Sequence, residues 1–473
     1  MSPSNKVTIK LPQVLIVGAG LAGLLFAIAL QKANIPFEIY EQSKFVRPLG
    51  GIMALNAGIF PALEQLGVYE ELLKISIPSV GFNIYNGDMS EIALLKTEGE
   101  KELIGYDRVV FARPEFYQLL LSKVPAERIH YNKKVVSVIQ TKDDVTISCA
   151  DGTSYNGDIL VGADGAYSGV RQEMFKQMQE EKVLPVSDTQ ELNKGYVCMV
   201  GTTCPLDPTD YPGLDAETSS AYQIIGKNTH YSWSAFSVLG NRIGWNVVSQ
   251  LATLEQSAEA KFGNAEWGPE ANEAMIKDVK DFLIPFSNTS TMGDLINATP
   301  AENISRVFLE DKLFDSWHHG RVVLIGDACH KLLPSSGQGA VTSMQDAVVL
   351  ASHLYDLTSL TSEGIQEAFQ AYRKERFPHV KEQYEASKIN AKLIYGQEQK
   401  IKTTFLERCA RYLIFNYMPI SIQAKASSKG MAYRPQVSFL PLVPNLGSSY
   451  VIPQKLSKRY EESLKANGST IAV

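Results

Sequence analysis

Among the 473 residues of this chain, the side chains and spacings best suited to chemistry stand near the amino end, in the pattern Gly18-x-Gly20-x-x-Gly23. Gly18 permits a tight turn, Gly20 lets a pyrophosphate approach the backbone, and Gly23 lets a helix pack closely on a strand. The helix N-terminus that follows is partly positive and attracts phosphate. Glu41 closes the next apolar run, where a carboxylate accepts hydrogen bonds from an adenosine ribose diol. The pattern points to a dinucleotide rather than to a structural glycine turn, without separating NAD from FAD. Other reactive side chains read as structure. Cys149, Cys198, Cys204, Cys329 and Cys409 form no CxxC pair and no zinc spacing, so they read as reduced thiols, mostly small buried hydrophobes. His318-His319 has no further ligands nearby, so no metal is expected. His330 reads as a hydrogen-bonded structural histidine, and Cys329 has no adjacent base to make it a nucleophile.

The elements that must position these residues follow from apolar patterning. Gln13 to Val17 reads as a strand, Leu21 to Lys32 as a buried Leu/Ala-rich helix, and Phe37 to Tyr40 as the next strand. Asn34-Ile35-Pro36 stops the helix. Phe60 to Leu73 has helical spacing, Val80 to Leu95 alternates like a hairpin, and Pro114 to Val124 is a short helix opened by proline. Ile129 to Tyr155 holds three strand-like runs. From Gln190 to Leu251 alternating aromatics fit a half-buried sheet, and Thr253 to Leu283 turns helical. Arg321 to Ile325 is a strand followed by a glycine loop and the helix Val341 to Leu357. The chain then reads as helical to Met418, extended and Pro-rich from Arg434 to Pro453, and charged at its end.

Composition narrows the class. Lys+Arg 45 against Asp+Glu 51 gives a net charge of −6, which argues against a nucleic-acid partner. Hydrophobic residues at 45% and charged residues at 20% suit a folded protein of two or three domains and exclude bulk disorder. Val14 to Leu30 carries no charge, but it falls short of the ~18 apolar residues of a membrane span and holds the three glycines. No membrane span is expected, and a cytoplasmic location is.

Two further stretches add a resemblance. Asp158 to Arg171 reads DILVGADGAYSGVR, and Gly326 to Asp346 reads GDACHKLLPSSGQGAVTSMQD. With the glycine turn, in this order and spacing, they resemble the signatures of class A flavoprotein monooxygenases, the para-hydroxybenzoate-hydroxylase fold group. The likeness covers residues 12 to 380 or so. WHHGRVVLIGDACHK and the later YRPQVSFLP are similar to fungal secondary-metabolite members, including epoxidases of isoprenoid chains. The resemblance implies bound FAD, with NADPH or NADH as a transient co-substrate that binds without a second Gly-x-Gly-x-x-Gly. It implies an α/β chain, α+β overall. A Rossmann-like FAD-binding domain (1–79, 100–187 and 301–360) carries an inserted mixed β-sheet substrate domain (80–99 and 188–300). A helical C-terminal region and tail (361–473) follow.

The resemblance also assigns residues. Asp327 and Ala340 match FAD contacts, Arg113 matches a cofactor-binding arginine, and Ala54 falls near another contact. Asp164 and Gly165 match a pair linked to both FAD and the nicotinamide. Asp327 suits the hydroxyls of a ribityl chain, and Pro334, Gly337 and Gly339 give a side-chain-poor surface for a flat ring. Arg171 reads as a structural ion pair. Val341 departs from a common asparagine, and Gln345-Asp346 from a common Glu-Asp. Tyr196, Tyr222, Tyr231 and Trp233 lie in the sheet expected to roof the flavin and are the candidates for the substrate pocket. No catalytic side chain is assigned.

The expected activity is an FAD- and NAD(P)H-dependent monooxygenase. It inserts one oxygen atom from O2, by hydroxylation or epoxidation, into a hydrophobic aromatic or isoprenoid secondary metabolite. Two rivals stand beside it: a flavin oxidoreductase without oxygen insertion, of the prenyl reductase type, and a non-catalytic flavin-binding protein. The Trp-x-Trp-x-Ile-Pro motif of halogenases is absent, since Ala235 stands two places after Trp233.

Overall fold

A computed structural model describes residues 11–44, 51–97, 100–226, 229–251, 266–267, 272–287, 289–395, 425 and 428–466. Its first sheet is built on Val14–Val17, whose four apolar residues are buried on both faces, as a central parallel strand requires. Phe37–Tyr40 pairs parallel on one side and Ile159–Gly162 on the other, with Val322–Leu324 beyond. Ile129–His130 and His318–His319 are the edges. The helix Leu21–Lys32 buries Ala22 through Leu30 between this sheet and the helix Gly339–Tyr355. An apolar surface all round is what such a sandwiched helix needs. Gly326 packs at this junction, where an added Cβ would lie 3.1 Å from Ser343 and 3.3 Å from Ala22.

The second sheet runs in the order Glu266–Trp267, Ser305–Leu313, Asn193–Thr202, Arg242–Gln250, Tyr231–Val238, Ala221–Ile225, Gly81–Asn86, Glu91–Lys96. Ser305–Leu313 falls within the range expected for the FAD-binding domain, yet its ladder partner is Asn193–Thr202. A third, small sheet joins Ile52–Leu55, Val109–Ala112 and Ile77–Pro78. It touches the large one: a Cβ on Gly244 would lie 1.9 Å from Ile52 Cγ2.

The period of two divides the large sheet into two different faces. Met199, Ile224, Tyr231, Trp233, Trp245 and Val247 point outward into a cluster with Met275, Phe286 and Leu295, beneath the helices Glu273–Val279 and Met292–Asn297. Tyr196, Cys198 and Val248 point inward, against Leu333 and against Ala391 and Tyr395 at the end of the long helix Ser362–Ile394 and just beyond it.

Several boundaries differ from the sequence reading. The helical run 60–73 is two helices, Phe60–Leu66 and Tyr69–Lys74, because Gly67 terminates the first with φ +73°. The span 129–155 holds four strands rather than three runs. The charged end forms a helix, Lys458–Ala466. The expected helix 253–283 lies outside the described residues up to 271 apart from 266–267, and the helical stretch to Met418 lies outside them beyond 395, as does Cys409. The extended segment from 432 to 457 straps the FAD-binding side: Gln65 bonds the backbone of Val437 and Pro441, and buried Arg434 donates to the Ile104 carbonyl at 2.7 Å.

Trp233 is 2% exposed, and its Nε1 donates to the Leu283 carbonyl at 2.8 Å. Trp233→Ala is expected to destabilise the protein by about 3–5 kcal/mol in urea unfolding, as a large cavity in a packed cluster does. A loss below about 1 kcal/mol would show that this outer face is not a core.

Candidate active site

The three chemistry-bearing stretches meet. Val14–Val17 and Ile159–Gly162 run parallel in register, so Gly18 and Ala163 emerge side by side at their carboxyl ends. Gly18 has φ +105°, and a Cβ there would lie 2.4 Å from the Ala163 carbonyl oxygen. At Gly23 a Cβ would lie 2.1 Å from the Gly18 carbonyl oxygen. Both glycines are required by protein packing. Gly20 is different: it is exposed, and a Cβ there meets nothing nearer than 4.0 Å. Gly20 keeps open a space that the fold itself does not fill. Gly165, Gly337 and Gly339 likewise have nothing within 4 Å of an added Cβ.

Glu41 lies over the turn. Its carboxylate accepts the Ala19 N–H at 2.9 Å and the Ser43 N–H at 2.8 Å, with further lone pairs left for a ligand. Arg113, exposed at the start of the helix Arg113–Ser122, shares its neighbourhood. Burial raises the Tyr117 hydroxyl above its ordinary pKa, Tyr131 and Glu41 add to that, and Arg113 opposes it. Ala54 is half-buried on the small sheet, opposite Val110.

Asp164 turns its carboxylate toward the protein. It accepts the Ser168 hydroxyl and the Val170 N–H, fixing the start of the helix Gly169–Glu180. Burial raises its pKa, against those hydrogen bonds and Arg171. Among the described residues Arg171 makes no ion pair of the kind the sequence suggested. Its guanidinium donates to the Ala328 and Ala166 carbonyls at 2.8 and 2.7 Å and lies 4.2 Å from the Phe314 ring centre. It thereby ties the second stretch to the third.

In the third stretch Asp327 is partly exposed and pairs with Lys331. Pro334 opens a short turn that ends at Gly337 with φ +63°, and Gly339 and Ala340 begin the following helix, half-buried. Behind this loop lies a fully buried charged cluster. Asp346 accepts the Gly326 N–H at 2.9 Å, His330 Nε2 at 2.5 Å and Arg376 Nε at 2.7 Å. Arg376 also donates to Gln345 Oε1 and the Thr342 carbonyl, each at 3.0 Å. Burial alone would raise the Asp346 pKa, but His330 and Arg376 hold it below the usual range. Donor atoms of Cys329, His330 and Asp346 lie within 4.8 Å of one another. The Arg376 guanidinium already supplies the positive charge there, and burial pushes the Cys329 thiol far above its ordinary pKa. The cluster therefore reads as a brace, not a cation site.

Of the four aromatic pocket candidates, only Tyr196 faces inward, where its ring packs 5.4 Å from Tyr395. Tyr222 packs on Phe286 at 5.0 Å, Tyr231 donates to Asp278 at 2.8 Å, and Trp233 lies in the outer cluster. Their parity along the strands turns all three away from the cofactor loops. The same parity brings inward Gln223, Ser234 and Asn246, which the aromatic pattern did not single out.

With this geometry in place, kinship is decisive. The model of the family described as FAD binding domain matches residues 12–194 and 229–387. The chain belongs to that family. It is 28% identical over 471 residues to the FAD-dependent monooxygenase ausM of Emericella nidulans, covering 95% of this chain and 90% of the relative. It is 30% identical over 392 residues to the FAD-dependent monooxygenase penM of Penicillium crustosum, covering 80% and 77%. Its fold matches Klebsiella pneumoniae HpxO, solved with FAD and uric acid, with a TM-score of 0.71 at 19% identity, over 89% of this chain and 97% of the other. The cofactor of this flavoprotein monooxygenase is FAD.

The residues present suit that cofactor, because Gly20, Gly165, Gly337 and Gly339 leave open space and Glu41 keeps lone pairs free, on three stretches that touch at Gly18 and Ala163, at Gly326 and Ala22, and at Arg171 and Ala328. Gly20→Val is expected to abolish FAD retention while leaving the melting temperature of the flavin-free protein within about 2 °C, since the added side chain enters open space. A yellow Gly20→Val protein would show that the pyrophosphate does not pass there.

Proposed function

We propose that this enzyme uses NADPH or NADH and O2 to insert one oxygen atom into a hydrophobic aromatic or isoprenoid secondary metabolite, by hydroxylation or epoxidation. In the balanced reaction the nicotinamide gives a hydride and the medium a proton. One oxygen atom enters the substrate, and the other leaves as water. The observation that carries this reading is the convergence of the glycine turn, the Asp164 stretch and the Asp327 loop beneath an inward sheet face. The relatives named FAD-dependent monooxygenase support it across nearly the whole chain.

The bound flavin would supply the redox chemistry; the protein holds, orients and excludes water. In this reading Gly18, Gly20, Gly23 and Glu41 hold the adenosine and pyrophosphate end. Arg113 and Ala54 lie along the cofactor, and Asp327 takes the ribityl hydroxyls. Pro334, Gly337, Gly339 and Ala340 form the bed of the ring. Asp164 and Gly165 act as a shaped edge, because the Asp164 carboxylate is engaged with Ser168 and Val170. Tyr196 walls the substrate cavity. Among the described residues no helix is long and apolar enough to cross a membrane. A cytoplasmic location fits the free thiols of Cys149, Cys198, Cys204 and Cys329.

Two measurements test the reading. Asp327→Ala is expected to weaken FAD retention about tenfold or more, through loss of a charge-assisted hydrogen bond worth roughly 1.5–3 kcal/mol. Unchanged affinity would remove Asp327 from the ribityl site. In an oxygen electrode with NADPH, a metabolite panel is expected to contain compounds that stimulate O2 uptake without matching peroxide and gain one oxygen by mass spectrometry. NADPH oxidation without O2 uptake would instead indicate a reductase, and no reaction a binding protein.

A further inference from the structure

The inward face of the large sheet carries a row of three adjacent polar side chains. Gln223, Ser234 and Asn246 are direct partners on three adjacent strands. The row on one side, Ala221, Phe236 and Gly244, is apolar over these three strands and reaches Thr202 on the next. On the other side lie Ile225, Ser232 and Val248, and the Ser232 hydroxyl is occupied by the Ile394 carbonyl at 2.9 Å.

The position of the row matters. Gly244 sits under Ile52, with room for no Cβ, and Val248 clusters with Tyr196 and Leu333. Asn246 lies on the same strand face between them. The polar row therefore spans the gap between the Gly51–Leu55 segment and the loop that begins at Leu333, where the cofactor's ring is assigned above. Gln223 and Asn246 are half-buried, and Ser234 is 1% exposed.

The orientation of the amides defines what they recognise. Gln223 Nε2 donates to the Trp233 and Ile224 carbonyls at 3.2 and 3.3 Å. Carbonyls only accept, so Oε1 is fixed as a free acceptor. Asn246 Nδ2 lies on the Ser234 hydroxyl, which leaves the Asn246 oxygen without a protein partner among the described residues. Two acceptors on half-buried side chains thus stand in the middle of this face, whose other polar atoms are occupied, as at Ser232, or buried, as at Thr202 Oγ1 and Gln250 Oε1.

We infer that Gln223 and Asn246, with Ser234 holding the latter, recognise the substrate, and that the substrate class is an apolar skeleton bearing one hydrogen-bond donor, a hydroxyl or an aromatic N–H. This rests on the monooxygenase reading only for the word substrate. The contact orients the skeleton so that its reactive carbon, not its polar end, faces the ring. A site built around a donor discriminates against the analogue that lacks it, because its acceptors are then left buried and unpaired.

The test uses the FAD-loaded protein without NADPH, so that it does not depend on turnover. Binding is read as perturbation of the flavin absorbance with two probe pairs, farnesol with its methyl ether and 4-hexylphenol with 4-hexylanisole. In at least one pair the hydroxyl member is expected to bind about tenfold more tightly than the ether. The double variant Gln223→Leu with Asn246→Leu should bring that ratio to about one. Asn246→Asp, which still accepts from Ser234 and from ligand, should keep it. A protein that discriminates neither pair, by binding both members equally or by binding none, overturns the inference. So does a leucine variant that keeps the ratio. A preserved ratio in an enzyme that takes up no oxygen would overturn the monooxygenase reading and leave the recognition row standing.

Discussion

The shape of the loop that begins at Gly326 depends on one buried carboxylate. Asp346, His330 and Arg376 are at most 1% exposed, so the carboxylate and guanidinium charges have left water entirely. A lone carboxylate there would be untenable, and removing one partner of such a pair destabilises a protein by about 3–5 kcal/mol. With Arg376 and His330 in place, Asp346 stays ionised and accepts the Gly326 N–H. That bond holds Gly326 at φ +61°, from which the chain turns so that Asp327 faces outward while Ala328 and Cys329 face inward. The residue assigned to the ribityl chain is thus aimed by a charge pair on the far side of the backbone.

The same brace joins parts remote in sequence. Arg376 lies on the long helix, and its guanidinium sits 5.3 Å from the ring centre of Tyr433 in the C-terminal strap. Tyr433 donates to Glu375 at 2.9 Å and stacks on His379 with centroids 3.7 Å apart. Gln345, beside Asp346, donates to the Gly58 carbonyl at 2.9 Å, next to the small sheet that carries Ala54. Strap, long helix and small sheet therefore meet on the two residues behind the loop. Order in the proposed cofactor bed is a property of the whole chain, although the residues proposed to face the cofactor come from short stretches.

This explains which parts could be read from sequence. The glycine turn, the paired strands around it and the flavin-helix sequence are local: each needs only its own few neighbours, and φ > 0 or a forbidden Cβ leaves a glycine where no other residue fits. The family signal resides in those stretches, so family and cofactor were legible. Arg376 was not, because nothing within its helix marks it as the partner of a carboxylate 30 residues earlier. The pairing of Ser305–Leu313 with Asn193–Thr202 is a non-local ladder, invisible to patterning along one strand.

The aromatic candidates illustrate a subtler limit. The alternation between Gln190 and Leu251 fits the strands Tyr231–Val238 and Arg242–Gln250, but alternation says only that there are two faces, not which one would see the flavin. The large aromatics were the candidates for the substrate pocket. A face that must pack permanently beneath helices needs large apolar volume, whereas a face that must receive and release a ligand cannot be filled by its own side chains. The heavy residues Tyr231, Trp233 and Trp245 accordingly belong to the filled face, and Ser234, Gly244 and Asn246 lie, beside Phe236 and Val248, on the face proposed to receive a ligand. In a sheet packed on both sides, the lighter parity is therefore the one to search for recognition residues.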